Sequence, residues 1–168
     1  VESKNITASK LLHHSYGIAD HLRSVAKLQK GDRVLLCYLP SLDVVPALLG
    51  CILAGVIPVP VPPPNLQNLS HDLSNLKIFV TSCSPSAILT HSEYHKAKRL
   101  SSVLNFFKGY NWPELPWIVT DSITDLTVTP QGIHQSKLTE VAFLQYTSGS
   151  TSFPKGVMIT FQNLAHQY

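Results

Sequence analysis

The stretch LQYTSGSTSFPKG, from Leu144 to Gly156, combines residue types that can bind phosphate. It places hydroxyl side chains, two glycines and one lysine directly after the apolar run VAFLQY. Hydroxyls donate hydrogen bonds to an anion, glycine lets the backbone approach closely, and an ammonium group supplies the opposite charge. We therefore predict a loop that binds the phosphates of a nucleotide. The candidate binding residues are Thr147, Ser148, Gly149, Ser150, Thr151, Ser152, Lys155 and Gly156.

The surroundings of this stretch favour an anion over a plain turn. From Val141 to Tyr168 the chain contains no Asp or Glu, and a nearby carboxylate would repel a phosphate by roughly several kcal/mol at low dielectric. The pattern is not a Walker A motif, because Pro154 instead of glycine precedes Lys155. On composition alone, a surface turn between two strands explains the cluster about equally well. The ordered hydroxyl, glycine, proline and lysine positions between two apolar strands favour phosphate binding.

The elements that must position this loop alternate between helices and strands. Apolar residues at helical spacing predict a first helix from Thr7 to Leu28, with Thr7 as its N-cap. Further helices are predicted at about Leu42–Ala54 (capped by Ser41), Leu69–Ser82, Ser92–Phe107 and from Phe161 onward, and strands at RVLLCYL, Val56–Val61, SAILT, WIVTD, VAFLQY and VMIT. This alternation predicts an α/β fold with a layered, mostly parallel sheet flanked by helices.

The proline-rich run GVIPVPVPPPN predicts a rigid edge strand or crossover, because prolines remove amide donors. The longest apolar stretch, Val44–Val61, is interrupted by proline and glycine, which argues against a transmembrane segment. Cys37, Cys51 and Cys83 show no metal-binding spacing and predict reduced thiols in a cytoplasmic protein. The net charge of +3 comes without a Lys/Arg run, so no nucleic-acid partner is expected.

A pair of histidines and a pair of tryptophans are both predicted to have structural roles and not to bind ligands. His91 and His95 in HSEYH could share a helix face as metal ligands do, but no third ligand is evident. We predict surface histidines there and no metal site. Trp112 and Trp117 flank a proline-rich loop and are predicted to pack against the core.

The longer motif YTSGSTSFPKGVMIT resembles the signature loop of the adenylate-forming (acyl-activating, AMP-binding) superfamily. The early block QKGDRVLLCYLPSLDVVPALLGCILAGVIPVPV is also similar to that superfamily. The forms AFLQYTSGST, PVPVPPPN and NWPELPWIVTD resemble the fatty acyl-AMP ligase branch, which includes DIP2-type proteins. The resemblance covers nearly the whole chain. It implies that residues 1–168 are the N-terminal part of an AMP-binding domain, whose remaining part and C-terminal lid domain lie further along a longer protein.

The resemblance implies a two-step reaction. ATP and a fatty acid would give an acyl-adenylate and pyrophosphate, and the acyl group would pass to the phosphopantetheine thiol of an acyl carrier protein. By position, Thr147 to Thr151 would hold the ATP phosphates, Lys155 would be catalytic by stabilising the departing pyrophosphate, and Gly156 would allow the turn into the next strand. Mg²⁺ is implied as counter-ion, with no ligand identified in this chain.

The chain departs from the superfamily pattern at two positions. Ser152 stands where the superfamily usually has glycine, and Phe161 where it usually has histidine. The resemblance implies that the phenylalanine alters activity or acyl selectivity. Two alternatives to the ligase follow: a catalytically silent adenylation-like module that binds a nucleotide, an acyl ligand or a protein, and an acyl-CoA synthetase that uses CoA as acceptor. The isolated segment is expected to be inactive, because the superfamily's ribose-binding, metal-binding and late lysine residues lie further downstream.

Overall fold

The fold was obtained as a computed structural model, which describes residues 6–104, 111–123, 133–147 and 154–166. Helices and strands alternate along the first part of the chain, as the sequence predicts. The elements are α1 (Ala8–Asp20), β1 (Arg33–Cys37), α2 (Val44–Ala54), β2 (Ile57–Val61), α3 (Leu69–Cys83), β3 (Ala87–Thr90), α4 (Ser92–Leu104), β4 (Trp117–Val119), β5 (Val141–Thr147), β6 (Lys155–Thr160) and α5 (Phe161–Ala165). The α/β class is confirmed. The predicted end of α4 at Phe107 lies outside the described residues.

The helix starts follow local capping chemistry. The Thr7 hydroxyl accepts a hydrogen bond from the Lys10 amide at 3.3 Å, which confirms the predicted N-cap of α1. The prediction that Ser41 caps a helix starting at Leu42 is wrong. The Ser41 hydroxyl accepts from the Asp43 amide at 3.3 Å and so closes a turn, and α2 begins only after that turn.

A four-stranded parallel sheet forms the centre of the fold, with strand order β2-β1-β3-β4. The prolines place β2 at its edge. The Ile57 amide donates to the Asp32 carbonyl at 2.8 Å, on the side of β1. Because backbone groups alternate in direction along a strand, Pro58 and Pro60 fall on the side away from β1, where no amide is needed. The predicted edge strand is confirmed.

Helices cover both faces of this sheet. Val34 and Leu36 of β1 pack in one buried cluster with Ile18 of α1 and Cys51 of α2. The alternate residue Leu35 packs in a second cluster, formed with α3 and α4. Strands buried on both faces are continuously apolar, which explains the run RVLLC. The sheet is therefore a rigid support with little surface of its own.

The last two strands form a separate antiparallel hairpin, β5–β6. The mostly parallel sheet of the prediction therefore ends at β4. Helix α5 follows β6 directly, and its N-cap Thr160 and Asn163 form a reciprocal capping box. The hairpin and this capped helix complete the described fold.

The histidine prediction needs one correction. His91 is only 5% exposed, because it follows the buried strand β3 and stacks between Tyr38 and Tyr94.

The packing role of Trp112 and Trp117 is confirmed: the rings meet edge to face with 5.6 Å between their centroids, and the Lys98 ammonium lies over both. Among the described residues, no helix is long and apolar enough to cross a membrane.

Candidate functional site

The hairpin places the two ends of the predicted phosphate loop opposite each other. Strand β5 ends at Thr147 and β6 begins at Lys155, and these two residues are paired across the hairpin. Both side chains are exposed. The other predicted loop residues, Ser148–Ser152, lie outside the described residues. The structure thus brings together one hydroxyl and the ammonium group at the point where the strands separate.

The two faces of this hairpin have different surroundings. Residues directly opposite in an antiparallel pair share a face, so Thr147 and Lys155 lie on one face. Tyr146 and Gly156 form the next pair and lie on the other face. That second face borders a groove of about 400 Å³ against the end of α3, lined also by Arg33. The predicted binding groups therefore project from the face opposite this groove.

Gly156 lies directly under the ring of Tyr146. Instead of marking the turn into β6, as predicted, it lies within the strand, and its φ is not positive. A Cβ atom at this position would lie 3.1 Å from Cζ of Tyr146 and 3.3 Å from its Cε1. These distances are shorter than ordinary van der Waals contact, so the ring lies tightly over the glycine. The glycine permits this close packing, since a Cβ here would require the ring to shift by a few tenths of an ångström.

Tyr146 also connects the hairpin to helix α3. Its ring meets that of Phe79 edge to face, with 4.9 Å between centroids. Its hydroxyl donates to Oγ of Ser82 at 2.7 Å. Burial raises the pKa of Tyr146, so the hydroxyl keeps the proton that it donates. The sequence motif contained Tyr146, but nothing local could identify partners more than sixty residues away.

The opposite end of β5 is held by the carboxylate of Glu140. It accepts from the Lys30 ammonium at 2.7 Å and pairs with Nε2 of His134 at 2.6 Å. These two hydrogen bonds, that from Lys30 first, lower the pKa of Glu140 to about 2. The Glu140 carbonyl also accepts from the Phe161 amide at 3.1 Å. One residue thus connects the start of β5, the start of α5 and the loop before β1.

Phe161 occupies a confined position with a mixed lining, which includes the polar residues His134, Ser136 and Glu140. It is half-buried and lines a cavity of about 20 Å³ together with Val56 and Ala142. This volume holds about one water molecule and no acyl chain. A phenyl ring cannot donate a hydrogen bond, so the described contribution of Phe161 is packing between α5 and the corner of α2 and β2.

Two further features bear on ligands. Within the described ranges, no group of three His, Cys, Asp or Glu side chains is placed to hold a metal ion. An apolar groove of about 590 Å³ lies at the carboxyl ends of β1 and β2, where open α/β sheets bind ligands. Leu39, Pro64 and Tyr94 line it, and the Tyr94 hydroxyl donates to the Pro64 carbonyl at 2.7 Å. No local sequence pattern signals this groove, because its lining comes from three separate segments.

Comparison with known proteins gives concordant matches. The model of the family "AMP-binding enzyme" matches residues 1–168. The medium-chain-fatty-acid–[acyl-carrier-protein] ligase JamA of Moorena producens is 35% identical over 168 residues, covering 98% of this chain and 27% of the relative. Disco-interacting protein 2 homolog B-A of Danio rerio is 29% identical over 155 residues, covering 92% of this chain and 10% of the relative.

A solved structure shares the fold closely. The fatty acyl-adenylate ligase from L. pneumophila, in complex with acyl adenylate and pyrophosphate, has a TM-score of 0.80 and 33% sequence identity. The match covers 98% of this chain and 26% of that structure. The chain therefore spans about a quarter or less of the length of each of these three proteins.

Proposed function

Because the chain belongs to the AMP-binding enzyme family, we propose that its full-length protein activates a fatty acid with ATP. The resemblance to fatty acyl-AMP ligases and DIP2-type proteins is confirmed by the matches. In the proposed reaction, the carboxylate of the acid attacks the α-phosphorus of ATP and pyrophosphate leaves. The resulting acyl-adenylate then transfers its acyl group to a thiol, with release of AMP.

One observation carries the proposal: Thr147 and Lys155 stand opposite each other on the same exposed face of the hairpin. An exposed hydroxyl and an ammonium group at this spacing suit an oxyanion. The residues from Val141 to Tyr168 include no carboxylate that would compete for the lysine. In the proposed site, Lys155 stabilises the negative charge that develops on the departing pyrophosphate.

The remaining loop residues belong to the proposal by their position. Thr147 donates from its hydroxyl to a phosphate oxygen, and the loop that follows it surrounds the phosphates. Mg²⁺ would neutralise phosphate charge, but the described residues provide no group of acidic ligands for it, so no step is assigned to the ion. We assign its ligands to the part of the protein beyond this chain.

The test is fatty-acid-dependent exchange of pyrophosphate into ATP, measured on the full-length protein. We expect exchange in the wild type and a loss of roughly 10²–10³-fold in Lys155→Ala, because one preorganised charge is removed. Lys137→Ala is the matched control, since this lysine is also exposed but lies before β5. Equal exchange in Lys155→Ala and Lys137→Ala would contradict the assigned role of Lys155.

The acceptor thiol is proposed to be that of an acyl carrier protein. JamA, the relative at 35% identity, is named as a ligase of this kind. The competing acceptor is CoA, as in an acyl-CoA synthetase. The full-length protein is incubated with ATP, the fatty acid and either holo-carrier protein or CoA. Only the true acceptor should become acylated, which separates the two alternatives.

A second candidate function follows from Phe161, which packs in a cavity too small for an acyl chain. In a catalytically silent adenylation-like module, a packing residue suffices where the resemblance implies a histidine. This candidate predicts ATP binding by the full-length protein without pyrophosphate exchange. The Phe161→His variant then tests whether the histidine restores exchange.

Two expectations concern the chain itself. The 168-residue segment alone should not complete the reaction, since the resemblance assigns the ribose, metal and late lysine sites to later residues. Acyl-adenylate formation above background by the segment would contradict this. The proposed cytoplasmic location is supported by Cys37, Cys51 and Cys83, which are free thiols buried in the core.

A further inference from the structure

The face of the hairpin opposite the proposed binding groups carries an aromatic anchor, Tyr146, directly beside the loop. Tyr146 immediately precedes Thr147, and its partner across the hairpin, Gly156, immediately follows Lys155. The tyrosine ring covers Gly156 closely enough that a Cβ there would be 3.1 Å from the ring. One ring is therefore in contact with both strands, one residue below the ends of the loop.

The same side chain joins the hairpin to a helix of the main sheet. The edge of the Phe79 ring and the Ser82 hydroxyl, both on α3, contact Tyr146 at 4.9 Å between centroids and 2.7 Å respectively. Helix α3 packs on the four-stranded sheet through Leu73 and Leu76, which are almost completely buried. The anchor thus connects the exposed hairpin to the most rigid part of the fold.

Leu144, two residues before Tyr146 on the same face, is half-buried and packs on the same cluster, but it lies further from the loop. Met158, two residues further along β6, is 67% exposed. Val157 is 44% exposed on the binding face. Of the described residues of β6, Gly156 is therefore the one that packs closely against the ring of Tyr146, which α3 holds in place. Without that ring, the two strands would keep their backbone pairing but would lose the side-chain contact with α3 that lies nearest the loop.

We propose that Tyr146 is a positioning residue, which fixes Thr147 and Lys155 relative to helix α3 and so sets the geometry of the phosphate site. This inference rests on the proposed function for its catalytic consequence, but the positioning itself is a property of the nucleotide-free protein. Tyr146 touches neither substrate nor reacting atoms. It acts through β5, to which it belongs, and through β6, which its ring covers at Gly156.

The first experiment needs no ligand. Backbone hydrogen exchange is measured at Thr147 and at residues 155–157 in the full-length protein and its variants. In Tyr146→Ala we expect exchange at these amides to accelerate about tenfold or more, because the hairpin opens locally. In Tyr146→Phe, which keeps the ring but loses the Ser82 bond, we expect an increase of about threefold. Met158→Ala, on the same face, is the control and should not change.

A paired substitution separates positioning from general loss of structure. Gly156→Ala alone requires the tyrosine ring to shift by a few tenths of an ångström and should accelerate exchange, by less than Tyr146→Ala does. In the double variant Tyr146→Ala, Gly156→Ala, the new methyl group meets no ring, so the second change should add almost nothing. Additive effects of the two changes would overturn the inference, as would unchanged exchange in Tyr146→Ala.

The second experiment measures the catalytic consequence by pyrophosphate exchange. In Tyr146→Ala, KM for ATP should rise and kcat fall, with a combined loss of about 10–100-fold, since small displacements of binding groups have effects of this size. KM for the fatty acid should stay unchanged, and Ser82→Ala should reproduce the smaller effect of Tyr146→Phe. An equal change in both KM values contradicts a role at the phosphate site.

The two experiments distinguish failure of the inference from failure of the proposed function. If the wild-type protein shows no exchange activity but Tyr146→Ala accelerates hydrogen exchange at Thr147 and residues 155–157, the proposed enzyme is wrong and the positioning role stands. If the wild type is active and neither hydrogen exchange nor KM for ATP responds to Tyr146→Ala, the positioning role is wrong.

Discussion

The four-stranded sheet and the β5–β6 hairpin bury their strands to different degrees. In β1 of the sheet, Leu35 is 0% exposed, and helices pack on both faces. In β6 of the hairpin, Met158 is 67% exposed, and Tyr146 provides the main anchor near the loop. Stability is therefore concentrated in the sheet, while the hairpin keeps one face free for ligand groups. Variants in the two regions should separate stability from binding.

The largest expected effect is on the stability of the sheet. Leu35→Ala should lower the free energy of unfolding by ~2–5 kcal/mol, because it removes a fully buried side chain and leaves a cavity. Met158→Ala, in the hairpin, should change it by less than about 0.5 kcal/mol. Urea unfolding of both variants measures the difference. Similar losses in both would remove the distinction between the two regions.

A smaller loss is expected where α1 and α2 cross above the sheet. A Cβ at Gly50 would lie 2.6 Å from Cγ2 of Ile18, so Gly50→Ala should destabilise the protein by ~1–3 kcal/mol. The matched test repeats the change in an Ile18→Gly background, where both crowding atoms, Cγ2 at 2.6 Å and Cβ at 2.8 Å, are absent. If the loss is the same in both backgrounds, crowding between the two helices is not its cause.

The next effect lies at the end of the hairpin. Thr160→Ala removes the N-cap of α5 and one half of its capping box, and should cost ~0.5–2 kcal/mol of stability. Thr160→Ser, which keeps the hydroxyl, should stay close to the wild type. Thermal unfolding of the two variants provides the measurement. A Ser variant as unstable as the Ala variant would point to the lost methyl group instead of the cap.

The smallest effect is a pH dependence at the start of β5, where Glu140 is paired with the largely exposed Lys30. Its pKa falls from an ordinary 4.5 to about 2 in the folded protein, so ionised Glu140 stabilises the fold. That contribution is complete above pH 4.5 and is lost as the pH falls toward 2.

The corresponding experiment compares wild type with Glu140→Gln in urea unfolding between neutral pH and pH 2. The stability difference should favour the wild type at neutral pH and shrink through this window, because other acidic groups titrate equally in both proteins. A difference that is independent of pH would show that the ion pair does not carry it.

Much of the fold follows from residues close together in the sequence. The prolines of β2 predict an edge strand, the hydroxyl of Thr7 predicts a helix start, and apolar runs predict strands buried on both faces. The prediction of a helix start at Ser41 is wrong, because the same hydroxyl can close a turn as well as cap a helix. His91 was wrongly placed on the surface, because its burial comes from rings of other elements.

The sequence by itself determined the alternation of elements, the edge position of β2 and the membership of Thr147 and Lys155 in one loop, since these depend on neighbours within a few positions. Only the tertiary structure decided which face of the hairpin is free, why Gly156 has no side chain, and what holds Tyr146 and Glu140. Their partners Ser82 and Lys30 are distant in the chain. Such pairs meet only after the sheet has assembled, because no local backbone preference encodes the distance between them.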